Sequence, residues 1–212
     1  MKKGLLALLL AVALVAPVFA AKGDMSINAK LGLGVNNSYS LDFSDMFGVD
    51  EYKDQYFKWN MEMPVSIAAE FFYGLMDNLS VGLGVNYVFD SNTKSEFFLF
   101  GNYKQKVGVT NIYLAVKPET KIESNIFSSI YLIGQLGLSM GRYEIDGYSS
   151  SIDTKNGLYL GLGLGTIIKD CVIVELVCSS SNFAIEKGHF SSEDIDLQYT
   201  ATTINVGYKF AL

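Results

Sequence analysis

Apolar and polar residues alternate along almost the whole chain. Over residues 25–35, Met25, Ile27, Ala29, Leu31, Leu33 and Val35 take one parity, and Ser26, Asn28, Lys30, Gly32 and Gly34 take the other. A period of two sustained over that length predicts a strand with one apolar and one polar face. The pattern returns at residues 59–72, 79–89, 106–117, 127–139, 157–168, 171–179 and 198–212. It is clearest at 157–168, where Leu158, Leu160, Leu162 and Leu164 alternate with Tyr159, Gly161, Gly163 and Gly165. After residue 20 no stretch carries a helical period. The connections alternate as well: 73–78, 118–125 and 169–170 are short, whereas 36–58, 90–105, 140–156 and 180–197 are longer and polar. Short turns at one end and long loops at the other predict an up-and-down antiparallel meander. Eight such strands can close into a barrel, which removes both sheet edges.

Alternation does not say which face points outward. The polar parity is rich in Gly, Ser, Asn and Tyr and poor in Lys and Glu, whereas a water-facing sheet surface carries many charges. The apolar parity runs for about ten residues per strand, the length that a tilted strand needs to cross a bilayer. Aromatic residues gather near the strand ends, among them Trp59, Phe71, Tyr73, Tyr87, Phe89, Phe127, Tyr208 and Phe210, as suits a membrane–water boundary. Together these features predict an all-β, eight-stranded antiparallel transmembrane barrel with its apolar parity against lipid.

Composition narrows the picture. Half of the 212 residues are hydrophobic, only 18% are charged, and the formal charge is −6, which disfavours a general nucleic-acid-binding surface. Residues 1–20 read as a secretory signal peptide: Lys2 and Lys3, an apolar run from Leu5 to Val15, Pro17, and small residues before Ala21. Residues 21–212 then form a single barrel domain. Cys171 and Cys178 are too far apart on one strand to bridge and too few for a metal site. A single histidine excludes any site needing two, so neither a metal nor another cofactor is expected.

With its leader, its eight alternating segments and the octapeptide Asn205-Val206-Gly207-Tyr208-Lys209-Phe210-Ala211-Leu212, the chain resembles the small eight-stranded bacterial outer-membrane barrels of the OmpA/OmpX and opacity-protein type. The resemblance covers nearly the whole chain after residue 20. It implies residence in the outer membrane among lipid and lipopolysaccharide, a monomeric barrel, and an assembly signal read by the barrel-insertion machinery at Asn205, Gly207, Phe210 and Leu212. In that signal the usual final Phe is Leu212, with Phe210 two positions earlier. The role implied is structural or adhesive, with the long loops meeting an extracellular ligand. A small passive channel is the alternative.

An eight-stranded barrel has a lumen that side chains can fill. The glycines of the inward parity are expected to make room for Tyr113, Tyr131 and Tyr159. Inward charges at Lys30, Glu62, Glu70, Glu175 and Lys209 are expected to pair, because isolated charges there are costly. Glu175 and Lys209 should join one network with Lys30 and Glu70. Pro64 removes a ladder donor, so a bulge is expected beside it.

Candidate chemistry is sparse. His189-Phe190-Ser191, with Glu193, Asp194 and Asp196 behind it, shares its spacing with the His-x-Ser pair of outer-membrane lipid A deacylases. It lies in an acidic, Ser-rich stretch rather than on an apolar wall, so a solvated loop is the expectation, and no enzyme. Leu-Gly repeats without a following helix exclude a phosphate-binding loop.

Overall fold

The computed structural model describes residues 23–42, 56–60, 63–97, 101–145, 154–186 and 195–212. Its strands are β1 (Met25–Asp42), β2 (Tyr56–Asn60), β3 (Val65–Met76), β4 (Leu79–Phe97), β5 (Gly101–Lys121), β6 (Phe127–Ile145), β7 (Thr154–Lys155), β8 (Gly157–Ile168), β9 (Val172–Ile185) and β10 (Ile195–Ala211). β2 and β3 both pair with β1, and β7 and β8 both pair with β9, so the ten strands make eight staves. All neighbours are antiparallel, and β10 pairs with both β9 and β1, which closes the ring.

The decisive question is settled by exposure. Leu158, Leu160, Leu162 and Leu164 of β8, Leu132, Leu136 and Leu138 of β6, and Ile204, Val206, Tyr208 and Phe210 of β10 all point outward and are exposed. Between them Lys30, Glu70, Asn111, Gln135, Glu175 and Asn205 are buried. A polar inside and an apolar outside identify a barrel whose solvent is lipid.

The strands run further than the alternation of apolar outward residues predicted. β1 continues past Val35, β4 past Phe89, β6 past Ser139 and β9 past Ser179, taking in much of what the sequence reads as loop. The physical reason is an inversion of polarity along the same parity. On β10 the inward side runs from Asn205 and Thr203 to Ala201, Tyr199, Leu197 and Ile195, while the outward side runs from Ile204 to Gln198 and Asp196. Beyond the membrane the solvent outside is water, so the apolar residues turn inward. Tyr39, read as a loop residue, is a fully buried member of this outer core.

The outer part is organised as two leaves. One is β4–β5–β6 and the other is β7–β9–β10–β1–β2; among the described residues no ladder joins β2 to β4 or β6 to β7. An apolar cluster holds the leaves together, with Val88, Val107, Val109 and Tyr143 from the first and Tyr39, Phe183, Ile185, Leu197 and Tyr199 from the second. Phe183 lies over Gly141, where a Cβ would collide with its ring. Phe183→Ala should therefore loosen the leaves by about 3 kcal/mol while leaving the membrane ring closed. Hydrogen exchange should rise in the outer halves of β6 and β9 and stay slow around Glu175.

Pro64 stands beside a regular β1–β3 ladder. It lies just before β3, and its carbonyl accepts the Gly34 N–H at 2.9 Å. The expected bulge is not beside Pro64: the nearby register shift falls between Gly34 and Asn36 in the pairing of β1 with β10, where Val35 is the extra residue. A proline cannot donate to the ladder, and Pro64 meets β1 through its carbonyl alone, at the edge of β3. At the opposite end the β8–β9 hairpin turns through Lys169, Asp170 and Cys171, the first two with positive φ, and the Cys171 N–H donates to the Ile168 carbonyl at 3.2 Å.

Candidate functional site

The densest polar arrangement lies in the middle of the lumen. Lys30 of β1 donates to Glu70 of β3 at 2.7 Å and to Glu175 of β9 at 2.8 Å, all three side chains being essentially buried. Glu70 also accepts from Tyr113 of β5 at 2.9 Å, Gln135 of β6 at 3.3 Å and Asn28 of β1 at 3.4 Å. Glu175 accepts from Tyr131 of β6 at 3.0 Å and Asn205 of β10 at 3.1 Å. Tyr159 of β8 extends the chain by donating to Gln135 at 2.7 Å. Every stave except β4 contributes a side chain, and β4 contributes space: a Cβ on Gly84 would collide with the Tyr113 ring. Gly165 does the same for Tyr131.

Chemically the cluster holds one ammonium and two carboxylates surrounded by donors. Such donors leave few carboxylate lone pairs unsatisfied. The apolar side chains Phe72, Ala115, Ile133, Ile167, Ile173 and Val177 fill the lumen around it. The second apolar cluster, between the outer leaves, closes the space above.

The remaining sequence candidates fall elsewhere. Lys209 does not join the network. It pairs in register with Asn28, and it stands four residues below Asn205, which faces Glu175. Four residues of strand are roughly 13 Å, too far for an ion pair. Its neighbourhood is the turn-side mouth, shared with Lys117, Lys121 and Glu119. Glu62, His189, Ser191, Glu193 and Asp194 lie outside the described residues, and Asp196 is exposed on β10. Of the C-terminal positions, Asn205 and Gly207 face the lumen, while Phe210 and Leu212 are exposed on the outside. Gly207 lets Lys30 pass: a Cβ there would lie 2.6 Å from the Lys30 Cγ.

Sequence reasoning missed Lys117 and its partner. Lys117 lies 3.2 Å from Glu119, with its ammonium 4.6 Å from the Phe72 ring centroid and 5.2 Å from that of Tyr131. Both share the inward parity of Tyr113, so the period-two pattern already carried the signal. Among the described residues no group of three or more His, Cys, Asp or Glu side chains could hold a metal. Cys171 and Cys178 are free thiols.

The family model for the outer membrane protein beta-barrel domain matches residues 5–210. The chain belongs to that family. It is thus a bacterial outer-membrane protein, in accord with the apolar outward face. No curated protein matches the chain. Among solved structures, Ail, the attachment invasion locus protein of Yersinia pestis, in complex with the heparin analogue sucrose octasulfate, is 13% identical with a TM-score of 0.51, covering 89% of this chain and 100% of its own. Neisserial surface protein A matches at 13% identity and TM-score 0.51, with coverage of 89% and 100%. OprG from Pseudomonas aeruginosa matches at 14% and 0.50, with 89% and 96%. At these identities the likeness is one of fold.

Proposed function

We propose that this family member is a non-catalytic surface protein: a closed barrel that anchors a stiff, self-cored outer sheet for contact with an extracellular ligand. The observation that carries this reading is the lumen plug, in which seven staves converge on Lys30, Glu70 and Glu175 between two apolar clusters. A filled lumen offers no path to a hydrated solute, whereas the outer leaves extend well beyond the lipid-facing belt. Residues 1–20 serve in this reading as the cleaved export signal, and Asn205, Gly207, Phe210 and Leu212 as the assembly signal. The attachment role named for Ail is a precedent for surface contact on this fold.

The discriminating experiment is paired. In planar bilayers the purified barrel should give no resolvable single-channel conductance. Binding to host-cell or matrix preparations should vanish when the tips of the outer leaves are trimmed. Steady conductance from the intact protein, with binding unaffected by trimming, would replace this reading with the passive-channel one.

A further inference from the structure

Beyond the lipid-facing belt the outward face of β8–β9–β10–β1 is polar and almost free of charge. In register, Ser40 of β1 stands opposite Gln198 of β10, which stands opposite Asn182 of β9. Asp196 of β10, the next outward position, stands opposite Ala184. Nearer the belt the side chains are small and bonded to one another: Ser38 with Thr200 at 2.9 Å, Gln198 donating to Ser180 at 3.1 Å, and Cys178 with Thr202 at 3.7 Å. Among the described residues, none of the exposed large apolar side chains lies on β9 beyond Leu176 or on β10 before Ile204.

A concavity of about 340 Å³ lies in this face, ringed by Ser40, Asn156, Asn182, Asp196 and Gln198, a volume in the range of small-ligand sites. A bulge shapes it. From Lys155, opposite Ala184, to Tyr159, opposite Ser181, the β7–β8 side advances four residues and β9 only three. The extra residue falls at the junction of β7 and β8, and a bulge re-aims the side chains around it. Gly157 permits the close approach there, since a Cβ would collide with the Asn182 carbonyl. Asn156, Asn182, Asp196 and Gln198 are all exposed. Among the described residues the side chains of Asn156, Asn182 and Asp196 have no hydrogen-bond or ion-pair partner, and Gln198 spends one amide proton on Ser180. Phe183 and Leu197, which also border the concavity, turn their side chains inward to the outer core.

We infer that this concavity binds a neutral sugar unit of a glycan on the surface that the cell contacts. The inference rests on the surface-contact role proposed above and names the ligand class of that contact. Three amides, from Asn156, Asn182 and Gln198, stand beside one carboxylate. They offer donors and acceptors side by side, as the adjacent hydroxyls of a pyranose require. Asp196 is the only ionisable group among the lining residues, so a sulfated or carboxylated sugar is repelled. One carboxylate is too few for a divalent cation. The neighbouring Lys155 is already engaged in an interaction of its own. With the apolar side chains turned inward, what faces outward suits a hydroxylated ligand and not an apolar one.

The test uses the whole barrel, refolded in an amine-oxide detergent because a sugar headgroup would compete. Lactose, maltotriose, mannotriose and chitotriose are titrated by calorimetry against wild type, Asp196→Ala and Asn182→Ala/Gln198→Ala. At least one of these sugars should bind the wild type, and either variant should weaken it roughly tenfold, through one lost bond to a charged group or two to neutral ones. Retained heat-modifiable gel mobility verifies that both variants fold. Binding by none of the four sugars, equal affinity across the three proteins, or displacement by a heparin fragment would overturn the inference. So would tighter binding of the core oligosaccharide released from lipopolysaccharide, which would place the ligand in the cell's own envelope. If trimming the leaf tips abolishes binding to host cells while both variants retain it, the surface-contact role stands and the sugar site falls.

Discussion

Replacing Lys30 with Met is expected to destabilise the barrel by about 3–5 kcal/mol, among the largest effects of any single lumen substitution. The Met stem fits the space of the lysine stem but removes the one ammonium that Glu70 and Glu175 share. Two buried carboxylates then face each other with only neutral donors, from Tyr113, Gln135, Asn28, Tyr131 and Asn205. Urea unfolding in lipid vesicles, read by gel mobility, measures the loss. Adding Glu70→Gln and Glu175→Gln to Lys30→Met should recover most of it, since removing all three charges together avoids burying an unpaired one. The recovery should appear as strong non-additivity in the mutant cycle. A Lys30→Met barrel with the wild-type midpoint would mean that lumen water solvates each charge separately.

Leu162→Arg is expected to cost about 2–4 kcal/mol, from the opposite side of the same wall. Leu162 is 68% exposed, in the middle of the outward leucine row of β8, flanked in register by Gly134 and Cys178. An arginine there has lipid for solvent and no partner within reach. The comparison that isolates the membrane term is Gln198→Arg, also outward but beyond the belt on β10, which should change stability by under about 0.5 kcal/mol. Equal small losses at both positions would mean that the row around Leu162 does not face hydrocarbon. Together with the Lys30 result, this pair tests both faces of the barrel wall against their assigned solvents.

Much of this architecture was legible in the residues. The alternation at 157–168 located β8 to the residue, and the parity of Leu158 through Leu164 named the lipid-facing row. Inward placement of Lys30, Glu70, Glu175, Tyr113 and Tyr131 followed from the same counting. Where the reading stopped short, the cause was a change of solvent along a strand. Residues such as Leu197 and Tyr199 keep the inward parity of Asn205, but they meet water across the wall instead of lipid, so their polarity inverts. A search for apolar residues facing outward ends the strand there. Lys209 shows a different limit. It shares the inward parity with Glu175 on a neighbouring stave, and nothing in either strand taken alone tells that four residues of stagger separate them.

Parity determined the number of staves and which residues share a face, and the scarcity of charge on the polar parity with the aromatics at the strand ends determined the class, the direction of the apolar face and the content of the lumen, because side chains alternate across a strand and each face must suit one solvent. Only the tertiary structure decided which lumen groups meet. That depends on the register between neighbouring staves and on the stagger accumulated around the closed ring, and the slack at Val35 alters it locally. Hence the convergence of Lys30, Glu70 and Glu175 and the displacement of Lys209 to the mouth are properties of the closed barrel and of no single strand.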